Sequence, residues 1–278
     1  MHLIELSDAA SFLTRSQKLL MESEAQNNLI LSSSLSLARA SMARSPRLSF
    51  FVVEVSGKAV CAGLNSSERR LLISTASAEA AGFMGGEIAA RGLPLKGVLG
   101  PGDAVAHFSD SYSAGGGRQL TPKIPQNVLR LEGNSAQKFN QGPGLARIAK
   151  EKDLRLLLKW TRQFVEECEI DESASESEEV LRRYLEGRQL YIWEDSKPVA
   201  MAGFGGVTPN GVRVNMVYTD PGARSRGYAG SLVNVLSRKL LADGHRSCFL
   251  YVEKANAAAN RVYEKIGYKT IGDFIEYR

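Results

Sequence analysis

Cysteine and histidine are too few and too scattered in this chain for a disulfide framework or a zinc site. The 278 residues include three of each, and none of them show metal-ligand spacing. Because the cysteines lie within apolar patterns, we expect buried free thiols and no bound metal. The residues concerned are Cys61, Cys168, Cys248, His2, His107 and His245.

Long apolar runs and blocks of like charge are also missing. No run approaches the ~20 apolar residues that cross a bilayer, and the N-terminus lacks the apolar core of a signal peptide. We therefore predict a cytoplasmic protein with no membrane partner. The formal net charge is +5, from 35 basic and 30 acidic residues, and it is spread too evenly to indicate a nucleic-acid partner.

The most informative segment present is the loop at residues 224–229, with the sequence Arg-Ser-Arg-Gly-Tyr-Ala. A β-branched segment at 212–219 precedes it, and an amphipathic helix is predicted from residue 229 to Asp243. At a helix N-terminus the first N–H groups lack intrahelical partners and the macrodipole is positive, so an anion is stabilised there. Gly227 lets the backbone approach the oxygens of a phosphate group.

A second informative segment follows at 256–268. Asn256 can cap a helix, three alanines favour it, and Gly267 ends it. Asn256 and Tyr263 are seven residues apart, which corresponds to two turns, so both side chains can face the same groove.

Together these segments resemble the GCN5-related N-acetyltransferase (GNAT) superfamily. The loop matches that family's pyrophosphate-binding signature of Arg or Gln, two variable residues, Gly, one variable residue, then Gly or Ala. The resemblance implies acetyl-CoA or another acyl-CoA as cosubstrate, and no metal. It implies that Tyr263 is catalytic and protonates the departing thiolate. It also implies a set of residues that bind the cofactor: Val217, Tyr218, Thr219, Arg224, Ser225, Arg226, Gly227, Tyr228, Ala229 and Asn256.

The resemblance further implies direct transfer to an amine in a ternary complex. The acceptor stays open between a small amine, an amino acid and a protein amino group, and the chain is expected to be a monomer or a homodimer. The general base is also open: Asn215 occupies the position where many relatives have a carboxylate, leaving Glu253, Glu194 or water.

Two other functions fit the loop less well. A Walker A loop needs Gly-Lys-Ser/Thr, whereas Gly227 is followed by Tyr228, and a dinucleotide fingerprint needs a third glycine and a later acidic residue. A nucleotide-binding module would prefer NAD or ATP to CoA. A regulatory protein that binds acyl-CoA without turnover is the main alternative, because a cofactor loop indicates binding rather than catalysis.

The patterns predict an α/β (α+β) chain of two tandem GNAT-like domains, each with a mixed, mostly antiparallel twisted sheet flanked by helices. The second half is expected to run strand, two helices, three strands, helix, strand, helix, strand. We assign residues 1–132 to a degenerate N-terminal domain, 133–144 to a linker and 145–278 to the catalytic domain.

The first half resembles a degenerate copy of the second. Residues 54–63 align without gaps on 194–203, and both segments read as a hairpin. Where the phosphate loop would lie, residues 76–81 read Ala-Ser-Ala-Glu-Ala-Ala, and the carboxylate of Glu79 would repel a pyrophosphate. We therefore predict one cofactor site per chain, in the second half.

Overall fold

The two halves of the chain repeat one order of elements. The computed structural model describes residues 1–40, 48–66, 70–133, 139–170 and 173–278. Each half runs strand, two helices, three strands, helix, strand, helix, strand. This is the order predicted for the second half, and its recurrence in the first half agrees with the predicted tandem arrangement.

The first half contains β1 (His2–Leu6), α1 (Ala9–Glu22), α2 (Asn28–Arg39), β2 (Leu48–Val55), β3 (Lys58–Ser66), β4 (Leu71–Ile73), α3 (Ala78–Ala90), β5 (Val98–Gly100), α4 (Gly102–Ala114) and β6 (Gln126–Glu132). The second half contains β7 (Leu145–Ile148), α5 (Leu154–Glu167), α6 (Ala174–Glu186), β8 (Leu190–Asp195), β9 (Lys197–Gly205), β10 (Gly211–Thr219), α7 (Tyr228–Ala242), β11 (Ser247–Glu253), α8 (Ala257–Ile266) and β12 (Lys269–Tyr277). No helix in these described ranges is long and apolar enough to span a bilayer.

All twelve strands join in one sheet, in the order β1-β2-β3-β4-β5-β12-β6-β11-β10-β9-β8-β7. Only the pairs β4–β5 and β10–β11 are parallel; the other neighbours are antiparallel. Helices flank the sheet, so the predicted mixed, mostly antiparallel architecture is confirmed.

The last strand of the first half lies inside the sheet of the second half. Seven residues of β6 pair with β11, from Gln126 opposite Glu253 to Glu132 opposite Ser247. The other edge of β6 pairs with β12, whose final residues cross to pair with β5. The sequence analysis did not predict β6, and its insertion makes the halves one continuous hydrogen-bonded structure.

Alternation along the strands divides the second half into two apolar layers. Val212, Val214 and Leu250 pack with α7 and α8, whereas Ile192 and Met201 pack with α5 and α6. The division arises because successive side chains of a strand point to opposite faces of the sheet. Both faces of the sheet are therefore covered.

The boundary between the predicted domains stays a prediction. Residues 134–138 of the predicted linker lie outside the described residues, and the described remainder packs against the second half. Phe139 lies against the first turn of α7, where a Cβ on Gly230 would come within 2.8 Å of its ring. The backbone N–H of Gly142 donates to Ser231 Oγ at 2.9 Å.

The insertion of β6 predicts how fragments of the chain behave. A fragment of residues 145–278 lacks Leu129 and Leu131, both buried in the apolar core that also contains residues of α7 and α8, and it leaves the facing edges of β11 and β12 unpaired. Loss of two buried leucines costs about 4–10 kcal/mol, so we expect this fragment not to fold cooperatively. A fragment of residues 124–278 should unfold cooperatively in thermal denaturation followed by circular dichroism. Equal midpoints for the two fragments would contradict this role of β6.

Candidate functional site

A wedge-shaped opening separates β10 from β11. The strands pair only over Gly211, Val212 and Arg213, although β10 continues to Thr219 and β11 to Glu253. The outer edge of β11 stays paired with β6 along its whole length, so the two strands diverge. Beyond Arg213, the edge of β10 that faces β11 therefore presents backbone groups without a strand partner in the described chain.

A β-bulge in β10 redirects its side chains at this opening. The register with β9 shifts between Asn215 and Tyr218, and Met216 has a left-handed φ of +51°. Val212 and Val214 point towards α7, but after the bulge Tyr218 packs with Trp160 on the α5 face. The bulge adds one residue to β10, so the side chains after it point to the opposite face of the sheet from the one expected by simple alternation. It also takes the backbone of Val217 out of the regular hydrogen-bond ladder with β9.

The loop after β10 leaves the start of α7 open. Ser225 (φ +63°) and Gly227 (φ +78°) are both left-handed, and Gly227 occupies the N-cap position with no side chain to cap the helix. Its carbonyl accepts from the N–H of Ser231, which is the first intrahelical bond. Within the described chain the N–H groups of Tyr228, Ala229 and Gly230 have no acceptor, so this end of α7 can bind an anion.

Tyr228 fixes this loop to the neighbouring hairpin. Its ring is buried, and its hydroxyl donates to Asp195, where β8 turns into β9. This hydrogen bond raises the pKa of the phenol. Of the predicted loop residues, Arg224, Ser225, Arg226 and Gly227 are exposed, Ala229 is half-buried, and Tyr228 is the anchor.

Arg224 is engaged within the protein. Its Nη2 donates to both carboxylate oxygens of Glu167 in α5, at 2.8 and 2.9 Å, and its Nε donates to the Thr219 carbonyl at 3.1 Å. The guanidinium also lies 5.3 Å from the centroid of the Tyr218 ring. These bonds to Glu167 raise the pKa of Arg224. An anion at α7 must therefore compete with Glu167 for this side chain.

Asn256 and Tyr263 lie on α8 in different environments. Asn256 is exposed and caps the helix, with its side chain accepting from the N–H of Ala259 at 3.0 Å. Tyr263 is 8% exposed, stacks edge-on against Tyr268, and has no hydroxyl partner among the described residues. Burial raises the pKa of Tyr263 to about 12, and nearby Cys168 adds to the rise.

Close packing of α7 and α8 brings Tyr263 near the loop at residues 224–229. A Cβ on Gly230 would come within 2.7 Å of Val262, the residue before Tyr263. Cys168, at the end of α5, lies at the same opening, where burial, Glu253 and Glu167 raise its pKa to about 11. Cys61 and Cys248 are buried free thiols as predicted, whereas Cys168 is only half-buried, which corrects the expectation for that thiol.

A cavity of about 1450 Å³ lies on the α5 side of the opening, between the two halves. The second half contributes Tyr184, Arg213, Tyr251 and Glu253, and the first half contributes Leu29, Ser33, Leu64 and Leu72. Of these residues, only Glu253 was a candidate from the sequence. Alternation along β10 and β11 could have grouped Arg213, Tyr251 and Glu253 on one face, but no pattern signals which residues of the first half face them.

The candidates for a general base differ in their surroundings. Glu194 accepts from Arg147, whose pKa is raised by Asp153 and Glu194, so this carboxylate is held in an ion-pair cluster. Asn215 donates from Nδ2 to Tyr184 Oη at 2.7 Å, and its buried Oδ1 has no partner in the described chain. Glu253 lines the cavity and forms no ion pair with any described residue.

The equivalent region of the first half is closed by its own side chains. Ser77 caps α3 by accepting from the N–H of Ala80, and Glu79 lies in the first turn. The Asn27 side chain accepts from the N–H of Thr75, which aligns with Thr219. No cluster of three potential metal ligands occurs in the part of the chain that the structure describes.

Residues 154–268, which contain the opening, the loop and Tyr263, match the acetyltransferase (GNAT) family. These residues form a GNAT domain. Over an alignment of 111 residues the chain is 31% identical to mycothiol acetyltransferase from Brachybacterium faecium, a match that covers 35% of this chain and 34% of that protein. The chain thus matches about a third of the length of this curated relative.

Two solved structures resemble the whole chain in fold. A GCN5-related N-acetyltransferase from Sphaerobacter thermophilus superposes with a TM-score of 0.64 at 13% identity, covering 99% of this chain and 94% of that one. A GNAT-family acetyltransferase from Colwellia psychrerythraea gives 0.60 at 12% identity, covering 100% and 99%. The fold of the GNAT domain and its preceding half is therefore shared over nearly the full length.

The buried thiols and phenols predict loss of stability at high pH. Burial raises the pKa of Cys61 and Cys248 to about 12, as it does for Tyr251 and Tyr263. The unfolded chain releases these protons near pH 9 to 10, while the folded chain retains them. The contribution of the four groups to the free energy of unfolding is therefore complete below pH 9 and is lost as pH rises towards 12.

We expect urea-unfolding free energies to be level near pH 8 and to fall above pH 9. Tyr263→Phe should reduce the fall of the unfolding free energy with pH by about 1.4 kcal/mol per pH unit, but only above pH 10. Cys61→Ala should flatten it already from pH 9. A slope that neither substitution changes would contradict the assigned burial.

Proposed function

We propose that residues 145–278 transfer an acyl group, most readily acetyl, from acyl-CoA to a primary amine. Transfer would be direct, in a ternary complex, without a covalent enzyme intermediate. The observation that carries the proposal is the combination of the diverging strands, the uncapped start of α7 and buried Tyr263 beside them. Neither a nucleotide-binding module nor an ordinary strand-to-helix turn requires diverging strands, an uncapped helix start and a buried tyrosine together. The proposed location stays cytoplasmic.

The residues at the opening fit an acyl-CoA. The N–H groups of residues 225–229 would bind the pyrophosphate, and the open space around Gly227 leaves room for it. Backbone groups of Val217, Tyr218 and Thr219 would bind the pantetheine amides. An N–H of β10 directed at the thioester oxygen would stabilise developing negative charge, an effect of about 3 kcal/mol for one donor. Asn256 would contact the CoA chain, although its oxygen already caps α8.

Tyr263 is the proposed general acid. Its raised pKa keeps the phenol protonated at neutral pH, and its hydroxyl has no competing partner among the described side chains. The phenol would donate its proton to the departing sulfur as the C–S bond breaks, and a thiol with a pKa of about 8.5 needs only modest help to leave.

Glu253 is the proposed general base. Its carboxylate lines the cavity at the end of β11 without an ion-pair partner in the described chain, whereas Glu194 is held by Arg147. Glu253 would accept a proton from the acceptor amine as nitrogen attacks the acyl carbon. Asn215 could orient the acceptor through Tyr184 but cannot accept this proton.

Gly227→Ala tests the phosphate loop. A Cβ there meets no atom within 4 Å, so folding should lose only about 1–2 kcal/mol from the left-handed φ. The same methyl would obstruct an anion at the helix N-terminus, so we expect the KM for acetyl-CoA to rise at least about tenfold.

Gly244→Ala is the matched control, because Gly244 follows the other end of α7 with φ +105° and equally open space. It should lose stability without a change in KM. If both variants change KM alike, the loop does not hold the cosubstrate.

Tyr263→Phe and Glu253→Gln test the acid and the base. Each should lower kcat by about 100-fold with an unchanged thermal shift on adding acetyl-CoA. They should differ in pH dependence, because in Glu253→Gln the residual rate rises with pH as the free amine becomes available.

Binding of acetyl-CoA with no thiol release by wild-type protein over an amine panel would instead indicate a regulatory acyl-CoA-binding protein.

A further inference from the structure

Arg213 is a half-buried cation without a carboxylate partner in the described chain. It is the last β10 residue paired with β11, and it lines the cavity. Its Nη1 donates to Asn28 Oδ1 at 2.7 Å, and its guanidinium lies 6.0 Å from the centroid of the Tyr251 ring. Gly206 makes room for it, since a Cβ there would be 2.7 Å from Nη2. Burying an uncompensated positive charge is costly, which points to an external anion.

The first half holds this cation in place. Asn28 is fully buried, and its amide donates to the Ala25 carbonyl at 2.6 Å and to Tyr251 Oη at 2.7 Å. Nearby, the Glu24 carboxylate accepts from the backbone N–H and the side-chain amide of Asn210, at 2.8 and 2.9 Å. The turn between α1 and α2 therefore fixes the start of β10 and orients Arg213.

The cavity wall carries opposite charges at two separated positions. Arg213 lies opposite Phe249, and Glu253 is four residues further along β11, which separates their backbone positions by about 13 Å along the strand direction. Other charges on the wall are paired or exposed to solvent. Glu276 pairs with Arg70 and Arg278. The remaining charged residues of the lining are all exposed: Lys96, Lys123, Glu169, Glu176 and Arg183. A ligand spanning the cavity would meet a cation at one end and the opening at the other.

We propose that the acceptor is an elongated molecule with a primary amine at one end and a carboxylate or phosphate at the other, bound by Arg213. The inference rests on the proposed function, because the amine end is assigned through Glu253. An α-amino acid is too short to reach both groups, and a polyamine would place a second cation against Arg213. The first half thus acts in specificity by presenting Arg213 through Asn28.

A length series of acceptors tests the inference. Initial rates with acetyl-CoA would be compared for glycine, 4-aminobutanoate, 6-aminohexanoate and 8-aminooctanoate, each beside the alkylamine of equal length. We expect kcat/KM to rise with length only in the acid series. Arg213→Met should lower it for 8-aminooctanoate by about 10- to 100-fold and leave octylamine unchanged, since a charge-assisted bond is lost.

Further variants separate positioning from folding. Arg213→Lys should restore part of the selectivity, and Asn28→Ala should raise the KM for 8-aminooctanoate more than it lowers kcat. Lys239→Met, on the exposed side of α7, is the charge-matched control and should change neither acceptor. Equal kcat/KM for 8-aminooctanoate and octylamine in the wild-type protein would overturn the inference.

A binding measurement distinguishes failure of the inference from failure of the proposed function. Calorimetry with octanoate and with 1-octanol needs no turnover. Binding of octanoate alone, weakened about tenfold or more by Arg213→Met, supports the anion site even if no amine is acetylated. Absence of octanoate binding, or equal binding by Arg213→Met, overturns the inference, while acetyl-CoA binding still tests the loop at residues 224–229.

Discussion

The short pairing of β10 with β11 is the constraint on which the proposed site depends. Three residues of each strand pair, and then β11 continues alongside β6 while β10 bulges at Met216. The exposed edge of β10, the access of Tyr263 and the position of Glu253 all follow from this divergence. Because β6 belongs to the first half, the geometry of the second half's opening depends on the whole chain.

The two halves share an order of elements but differ at the start of one helix. At the start of α7 a left-handed glycine leaves three N–H groups without an acceptor among the residues that the structure describes, whereas Ser77 caps α3 and Glu79 adds negative charge. An anion is stabilised at the first and repelled at the second. The first half instead contributes Asn28, which binds Arg213, and part of the cavity wall.

Much of the fold could be predicted from the sequence because it rests on local periodicity. The strand at 212–219, the helix that follows and the cap at Asn256 depend on alternation, glycine and capping side chains, which are readable in sequence. The start of helix α6 is likewise local, because Ser173 forms a capping box with Glu176. Longer-range features could not be predicted: the insertion of β6 depends on strand partners distant in sequence, and the Arg224–Glu167 pair joins residues 57 positions apart.

Hydrogen exchange at backbone amides, with and without saturating acetyl-CoA, tests the central claim most directly. The account predicts slowed exchange at residues 225–230 and 217–219, because those N–H groups would acquire acceptors, and no change at residues 77–81. Calorimetry on the same sample should give one site per chain. Protection of both helix starts, or of residues 77–81 alone, would contradict a single acyl-CoA site in the second half.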